Sequence, residues 1–180
     1  MDPAEFLSLG DALWLDFVNT ARDRVRPPAD RLDSPAAYHR WLAGQRLRAD
    51  ADVPFTEVRH LRERLAALAA ALDAGQPPPS STVEAINARL AGAGGHLRLM
   101  REVGSWRLDF APAAPTSALA AIARSAAETL ADERCSVREC AGDACSLFFT
   151  DDSAKQNRDY CSPAACGHGR VADRRRGRLG

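Results

Sequence analysis

Four of the chain's five cysteines stand near its end, as Cys140 and Cys145 and then Cys161 and Cys166. Each pair encloses four residues, and fifteen residues separate the pairs. Thiolates are soft ligands, and Zn²⁺ takes four of them at the corners of a tetrahedron with Zn–S bonds of about 2.3 Å. Two cysteine pairs, each on a tight turn, supply such a set. The rival readings are redox chemistry and cysteines with no joint role. The odd number of thiols argues against a framework of disulfides. One structural zinc ion is the expectation.

The residues around the pairs fit that plan. "CAGDAC" has Gly142 and Asp143 to turn the chain, and "SLFFTDD" after it is strand-like, with Leu147 and Phe149 on one face. "CSPAACGHGR" reads as a turn passing into a helix that Ser162 caps and Pro163 opens. A hairpin followed by a helix, with one ligand pair from each, is a treble-clef-like finger. Spacing alone leaves a second first pair open, because Cys135 and Cys140 also enclose four residues. The strand after Cys145 favours Cys140 and Cys145, since a knuckle lies between the two strands of its hairpin. Cys135 then falls upstream as a small buried hydrophobe. His168, two residues after Cys166, is a weaker substitute ligand.

Stepping upstream, residues 1–133 form the body that must carry this finger. In residues 11–22, Leu13, Trp14, Phe17 and Val18 share a helical face, with Asp11 placed to cap the start. Ser34 and Pro35 open a second helix that Gly44 stops, with Tyr38, Trp41 and Leu42 as its inner stripe. Residues 56–74 form the strongest helix, with Val58, Leu61, Leu65, Leu68 and Leu72 at three-and-four spacing. After "QPPPS", Ser81 and Glu84 read as a capping box ahead of Val83, Ile86 and Leu90. The period then becomes two around Val103-Gly104-Ser105, which predicts a β-hairpin. A last helix over 116–132, capped near Thr116, turns Leu119, Ile122, Ala126 and Leu130 inward. The fold class expected is therefore mainly α with one β-hairpin (α+β), as a helical body over 1–133 and a small zinc finger over 134–180.

Composition bounds the function. The 180 residues suit one domain, or one domain with an appendage. No apolar run approaches the roughly 20 residues of a membrane span, and Met-Asp-Pro-Ala-Glu lacks the basic and apolar parts of a secretory signal. A bacterial-type cytoplasmic protein is expected, in a compartment where disulfides are rare. Net charge is zero, but residues 1–133 hold fifteen basic and eighteen acidic side chains while residues 134–180 hold nine and six. From Arg158 onward the count is six basic to two acidic. Such a tail suits a polyanion. Arg170, Arg174, Arg175, Arg176 and Arg178 cluster where a helix would lie against phosphates, with Lys155 and Arg158 in the loop before. A merely solvated tail is the bland alternative.

The body offers less. It has no phosphate loop, no GxSxG elbow and no HExxH, and no catalytic set stands out. His39, His60 and His96 are scattered. Asp16, Asn19 and Thr20 are polar groups on an otherwise apolar helix, read either as helix-end hydrogen bonding or as the lining of a small-molecule pocket.

"VRECAGDACSLFFTDDS" followed by "RDYCSPAACGHGRVADRRR" resembles the CGNR zinc finger, and "LWLDFVNT" at positions 13–20 resembles the opening signature of the ABATE domain that usually precedes it. The resemblance implies that Cys140, Cys145, Cys161 and Cys166 hold the zinc. It also implies a stress-induced transcription regulator with a DNA-binding finger and a ligand-sensing body. The chain departs from the motif that names the finger, reading Cys166-Gly167-His168-Gly169 where asparagine and arginine are usual, with Arg170 just beyond. That departure leaves zinc untouched and bears on any role of the Asn–Arg pair. The rival class is a small-molecule-binding protein or enzyme whose finger only braces the fold or joins two copies into a homodimer. A redox sensor built on Cys135 and a labile zinc thiolate is a third reading.

Overall fold

A computed structural model describes residues 6–9, 11–25, 27–50, 52–92, 94–112 and 117–167. Four helices come first: α1 Leu13–Asn19, α2 Pro35–Gly44, α3 Phe55–Asp73 and α4 Ser80–Ala91. The antiparallel hairpin of β1 Gly95–Glu102 and β2 Ser105–Pro112 follows, then α5 Ala118–Ala131. A second antiparallel hairpin, β3 Ser136–Glu139 with β4 Phe148–Asp151, leads to the short α6 Pro163–Cys166. The mainly helical body with a small finger expected from periodicity is the architecture observed.

The leucine stripe of α3 explains the body. Val58, Leu61, Leu65 and Leu68 fall on one face and are buried together with Trp14, Phe17 and Val18 of α1. Helix α2 adds Tyr38, Trp41 and Leu42, and α5 adds Leu119, Ile122 and Ala126. Phe17 and Trp41 meet at 5.3 Å between ring centroids. The buried Trp14 indole still finds a partner, donating to Thr129 Oγ1 at 2.9 Å. At the hairpin tip Gly104 has φ +80°, a conformation that a side chain disfavours.

Several helix starts differ from expectation, each for a local reason. Helix α1 begins at Leu13 with Ala12 at its cap and no side-chain cap bond. Asp11 instead faces Arg158 of the finger at 3.5 Å. Helix α4 begins one residue ahead of the expected Ser81, with Pro79 at the cap position, so the Ser81–Glu84 box does not form. Proline fixes φ near the helical value and starts the helix without a side-chain acceptor. Helix α3 likewise starts at Phe55 behind Pro54, and Thr56 lies inside its first turn. The cap of α5 is Ser117, one residue after Thr116, and Asp50 also accepts from the N–H groups of Ala118 and Leu119, both at 3.1 Å. Ser34 with Pro35 caps α2 as the sequence predicts.

Candidate metal centre

The knuckle grows out of the β3–β4 hairpin. Glu139 closes β3, Cys140 follows, and the Cys140 N–H donates to the Leu147 carbonyl across the turn at 2.9 Å. The Cys145 N–H donates to the Gly142 carbonyl at 2.9 Å, which curls the two sulfurs to the same side. Gly142 suits the crowding there, since a Cβ would sit a tight 3.1 Å from Cys166 Cβ and 3.2 Å from Cys145 Cβ. The second pair arrives on α6, where Ser162 accepts from the Ala165 N–H and Pro163 opens the helix. The Ala141 N–H donates to the Asp159 carbonyl at 2.9 Å and joins the two turns.

The result brings together Cys140, Cys145, Cys161 and Cys166, whose sulfurs all lie within 4.8 Å of one another. Cys145 and Cys161 are 3.8 Å apart at sulfur, and Cys161 and Cys166 are 3.7 Å apart. A tetrahedron with Zn–S bonds of about 2.3 Å has edges of about 3.8 Å, so the spacing fits zinc as it stands. Cys135 lies outside this group, which settles which cysteines form the first pair. Burial is the main cause that raises its thiol above the ordinary range.

The electrostatics suit a metal that displaces protons. Burial pushes the Cys161 thiol up to about 11 and raises Cys145 further, each crowded by neighbouring sulfurs. Burial also opposes ionisation of Cys140, but backbone N–H groups outweigh it and hold that thiol below its usual value. One of them is the Cys161 N–H, 3.3 Å from Cys140 Sγ. Cation arrival supplies the charge that lets the remaining protons leave.

Around the sulfurs, Leu147 and Phe149 form a small apolar cluster with the cysteines, as their shared strand face predicts. Phe148, on the other face of β4, points into the body core, and Val137 of β3 joins it there. Leu7 and Leu9 from the chain's N-terminal side complete the cover on the sulfur side. Arg158 braces the second turn, donating to the carbonyls of Tyr160 and Cys161 at 3.0 and 2.6 Å and lying 4.7 Å over the Phe149 ring. It faces inward, whereas Lys155 is exposed.

The three polar residues of α1 and its end are all buried, and Asp16 and Asn19 take part in this junction while Thr20 bonds within the body. Asp16 accepts from the Leu9 N–H at 2.8 Å and the Ser8 hydroxyl at 2.5 Å, placing the leucines that cover the finger. The Asn19 amide pairs with both backbone groups of Phe148, donating to its carbonyl at 2.8 Å and accepting from its N–H at 3.0 Å. Thr20 donates to the Phe17 carbonyl and accepts from Arg62, whose guanidinium also grips Asp30 through two bonds of 2.7 and 2.6 Å. The residues after α1 continue the seam. Arg22 donates to the Ser146 carbonyl at 2.8 Å and lies 4.0 Å over the Phe148 ring. The Asp23 carbonyl accepts from the Ser146 N–H at 2.9 Å. Sequence reasoning singled out neither Arg22, Asp23 nor Ser146, because their partners are more than a hundred positions away.

Beside this seam is an open hollow of about 400 Å³, lined among others by Val18, Arg22, Asp30, Arg59, Arg62 and Ser146. Asp16, Asn19 and Thr20 are not in its lining. The basic tail residues Arg170, Arg174, Arg175, Arg176 and Arg178, with His168 and Gly169, lie outside the described residues. No helix among the described residues is long and apolar enough to cross a membrane.

The geometry defines a helical protein with a four-cysteine zinc finger set against its first helix. The family comparisons agree with that class. Residues 136–178 match the CGNR zinc finger, and residues 11–133 match ABATE, described as "Putative stress-induced transcription regulator". The chain belongs to the ABATE family, and its finger is a CGNR zinc finger with four cysteines positioned to coordinate one zinc ion. No curated protein matches the chain.

Proposed function

We propose that the protein is a DNA-binding transcription regulator in which the finger's basic tail meets the duplex and the helical body senses a small molecule. The observation that carries the DNA half is the count of six basic against two acidic residues from Arg158 onward, five of the six lying after the last zinc ligand, Cys166. With Arg158 engaged inside the finger, the contacts fall to Arg170, Arg174, Arg175, Arg176 and Arg178. Their planar guanidinium forks suit phosphate oxygens. The hollow at the seam, with Arg59 and Arg62 at its wall and Ser146 beside a zinc ligand, supports the sensing half. A ligand there would touch body and finger at once.

The test is a DNA-affinity series across salt concentration. Replacing Arg174, Arg175 and Arg176 with alanine should lower the log–log slope by about 2.7, at about 0.9 per phosphate contact. Zinc content and thermal stability should hold. Selection of genomic fragments with and without cell-extract metabolites would then identify both operator and ligand.

A second reading has its own observation. The finger's Phe148 and Val137 are buried in the body core, as befits a finger that braces a small-molecule-binding protein or enzyme. Equal DNA affinity of parent and triple variant at low salt would favour it.

A further inference from the structure

Residues 6–9 reach the finger from the far end of the chain. Phe6 packs against the body core, while Leu7 and Leu9 pack on the cluster of Cys140, Cys145, Cys161, Leu147 and Phe149. Among the described residues, no backbone–backbone hydrogen bond ties this segment down. Its two hydrogen bonds both end on one side chain: Asp16 accepts from the Ser8 hydroxyl at 2.5 Å and from the Leu9 N–H at 2.8 Å. Asp16 is itself 3% exposed and set within α1, so the anchor is rigid although the segment is not part of any helix or strand. Just beyond, Asp11 faces Arg158 of the finger at 3.5 Å. A stretch with so few bonds opens more readily than the elements it rests on. Beneath it Cys140, Cys145 and Cys161 are buried. Thiolates react with reagents from solvent only as far as they are exposed, and the apolar groups around a metal control that access.

We propose that residues 6–9 are a strap, latched by Asp16, that closes the sulfur side of the zinc centre and sets how fast reagents in solution reach its thiolates. Opening the latch frees Leu7 and Leu9 and bares the sulfurs, while the knuckle and α6 keep the metal in place. Access to the finger's metal is then governed by a carboxylate of the body's first helix. The proposal rests on zinc at the four cysteines.

The experiment uses the full chain loaded with zinc as parent, Asp16→Asn, the double variant Leu7→Ser with Leu9→Ser, and Asn19→Ala. All four also carry Cys135→Ser, so that only the ligand thiols report. Each is treated with iodoacetamide, which is small, and with a maleimide carried on a dextran, which is too large to pass under a strap. Asn19 holds the finger through Phe148 on its other side, so its variant loosens the finger and leaves the strap alone. The double variant should react with the dextran maleimide at least about tenfold faster than the parent, the lower end for changes around metal ligands. Its reaction with iodoacetamide should rise by much less. Asp16→Asn should move the same way by a smaller factor, because its amide oxygen still accepts from Leu9 while its NH₂ cannot accept from Ser8. Asn19→Ala should speed both reagents equally. Unchanged rates in the double variant overturn the proposal, as does a rise shared equally by both reagents as in Asn19→Ala. A parent that binds no zinc overturns the metal reading beneath it.

Discussion

The helical body buries Trp14, Phe17, Trp41, Leu65, Leu68, Leu119 and Ile122 completely or nearly so, from four different helices. The finger's own cluster, by contrast, holds among the described residues only Leu147 and Phe149 beside the buried cysteines, with Leu7 and Leu9 borrowed from the other end of the chain, while its Val137 and Phe148 go to the body core. Each large apolar side chain taken out of water contributes about 1.5–3 kcal/mol, so the body has ample material for a core of its own. The finger does not, since a unit this small rarely holds together on its own core and usually needs a metal, disulfides or a partner. The difference teaches what joins them. The seam is polar, made by Asn19, Arg22, Asp23 and Asp16, with Phe148 as its one large apolar anchor.

The largest predicted effect separates the two regions outright. Cys161→Ser should abolish stoichiometric zinc and unfold the finger, because structural zinc contributes about 10–16 kcal/mol of apparent binding energy to such modules. Cys135→Ser should keep the metal, as metal analysis of both purified variants will show. Loss of zinc in the Cys135 variant alone would mean that the ligand set is wrong.

Leu65→Ala attacks the other side of the comparison. This fully buried residue lies mid-α3, and its truncation should cost about 2–5 kcal/mol in thermal or denaturant unfolding of the body. Zinc stoichiometry below the transition should remain that of the parent. Next in size is Asn19→Ala, which strips both partners from the buried Phe148 backbone and should cost about 1–3 kcal/mol. Because the bond crosses the seam, it should also loosen the finger, seen as faster amide exchange in β4. A variant that lowers body stability and leaves β4 exchange untouched would show that the amide serves α1 alone.

The smallest effect is with pH. Burial alone would raise the Asp151 carboxyl, but hydrogen bonds from Ser153 and the Arg158 N–H, with Arg138 nearby, overcome it and hold the group below its ordinary range. Its folded value being depressed, its contribution is complete above the unfolded value of about 3.9 and is lost as pH falls through the lower folded value. Asp151→Asn should therefore be less stable than the parent at neutral pH, and the two should converge in strong acid. An unfolding series from pH 7 to pH 2 measures this.

What the sequence showed was what local chemistry decides. Cysteine spacing, Ser162-Pro163 and Ser34-Pro35 state their structure within a few residues, and the alternation on either side of Gly104 states a hairpin. The misses were positions where a competitor outranked a local rule. Asp11 looked like a cap and instead faces Arg158, and Pro79 began a helix where the Ser81 hydroxyl was expected to. The seam was least legible. Asn19 and Phe148 are 129 positions apart, and nothing in "LWLDFVNT" says that its amide will be matched to one peptide unit of a distant strand.

The claim that burial holds the body while metal holds the finger is tested most directly by residue-resolved hydrogen exchange on the zinc-loaded chain before and after chelation. Removing zinc should collapse protection across residues 136–167 to that of an unfolded segment, while the central amides of α3 and α5 stay protected. Loss of protection through α3 and α5 to the same extent would contradict the account, because body and finger would then share one core that only the metal completes.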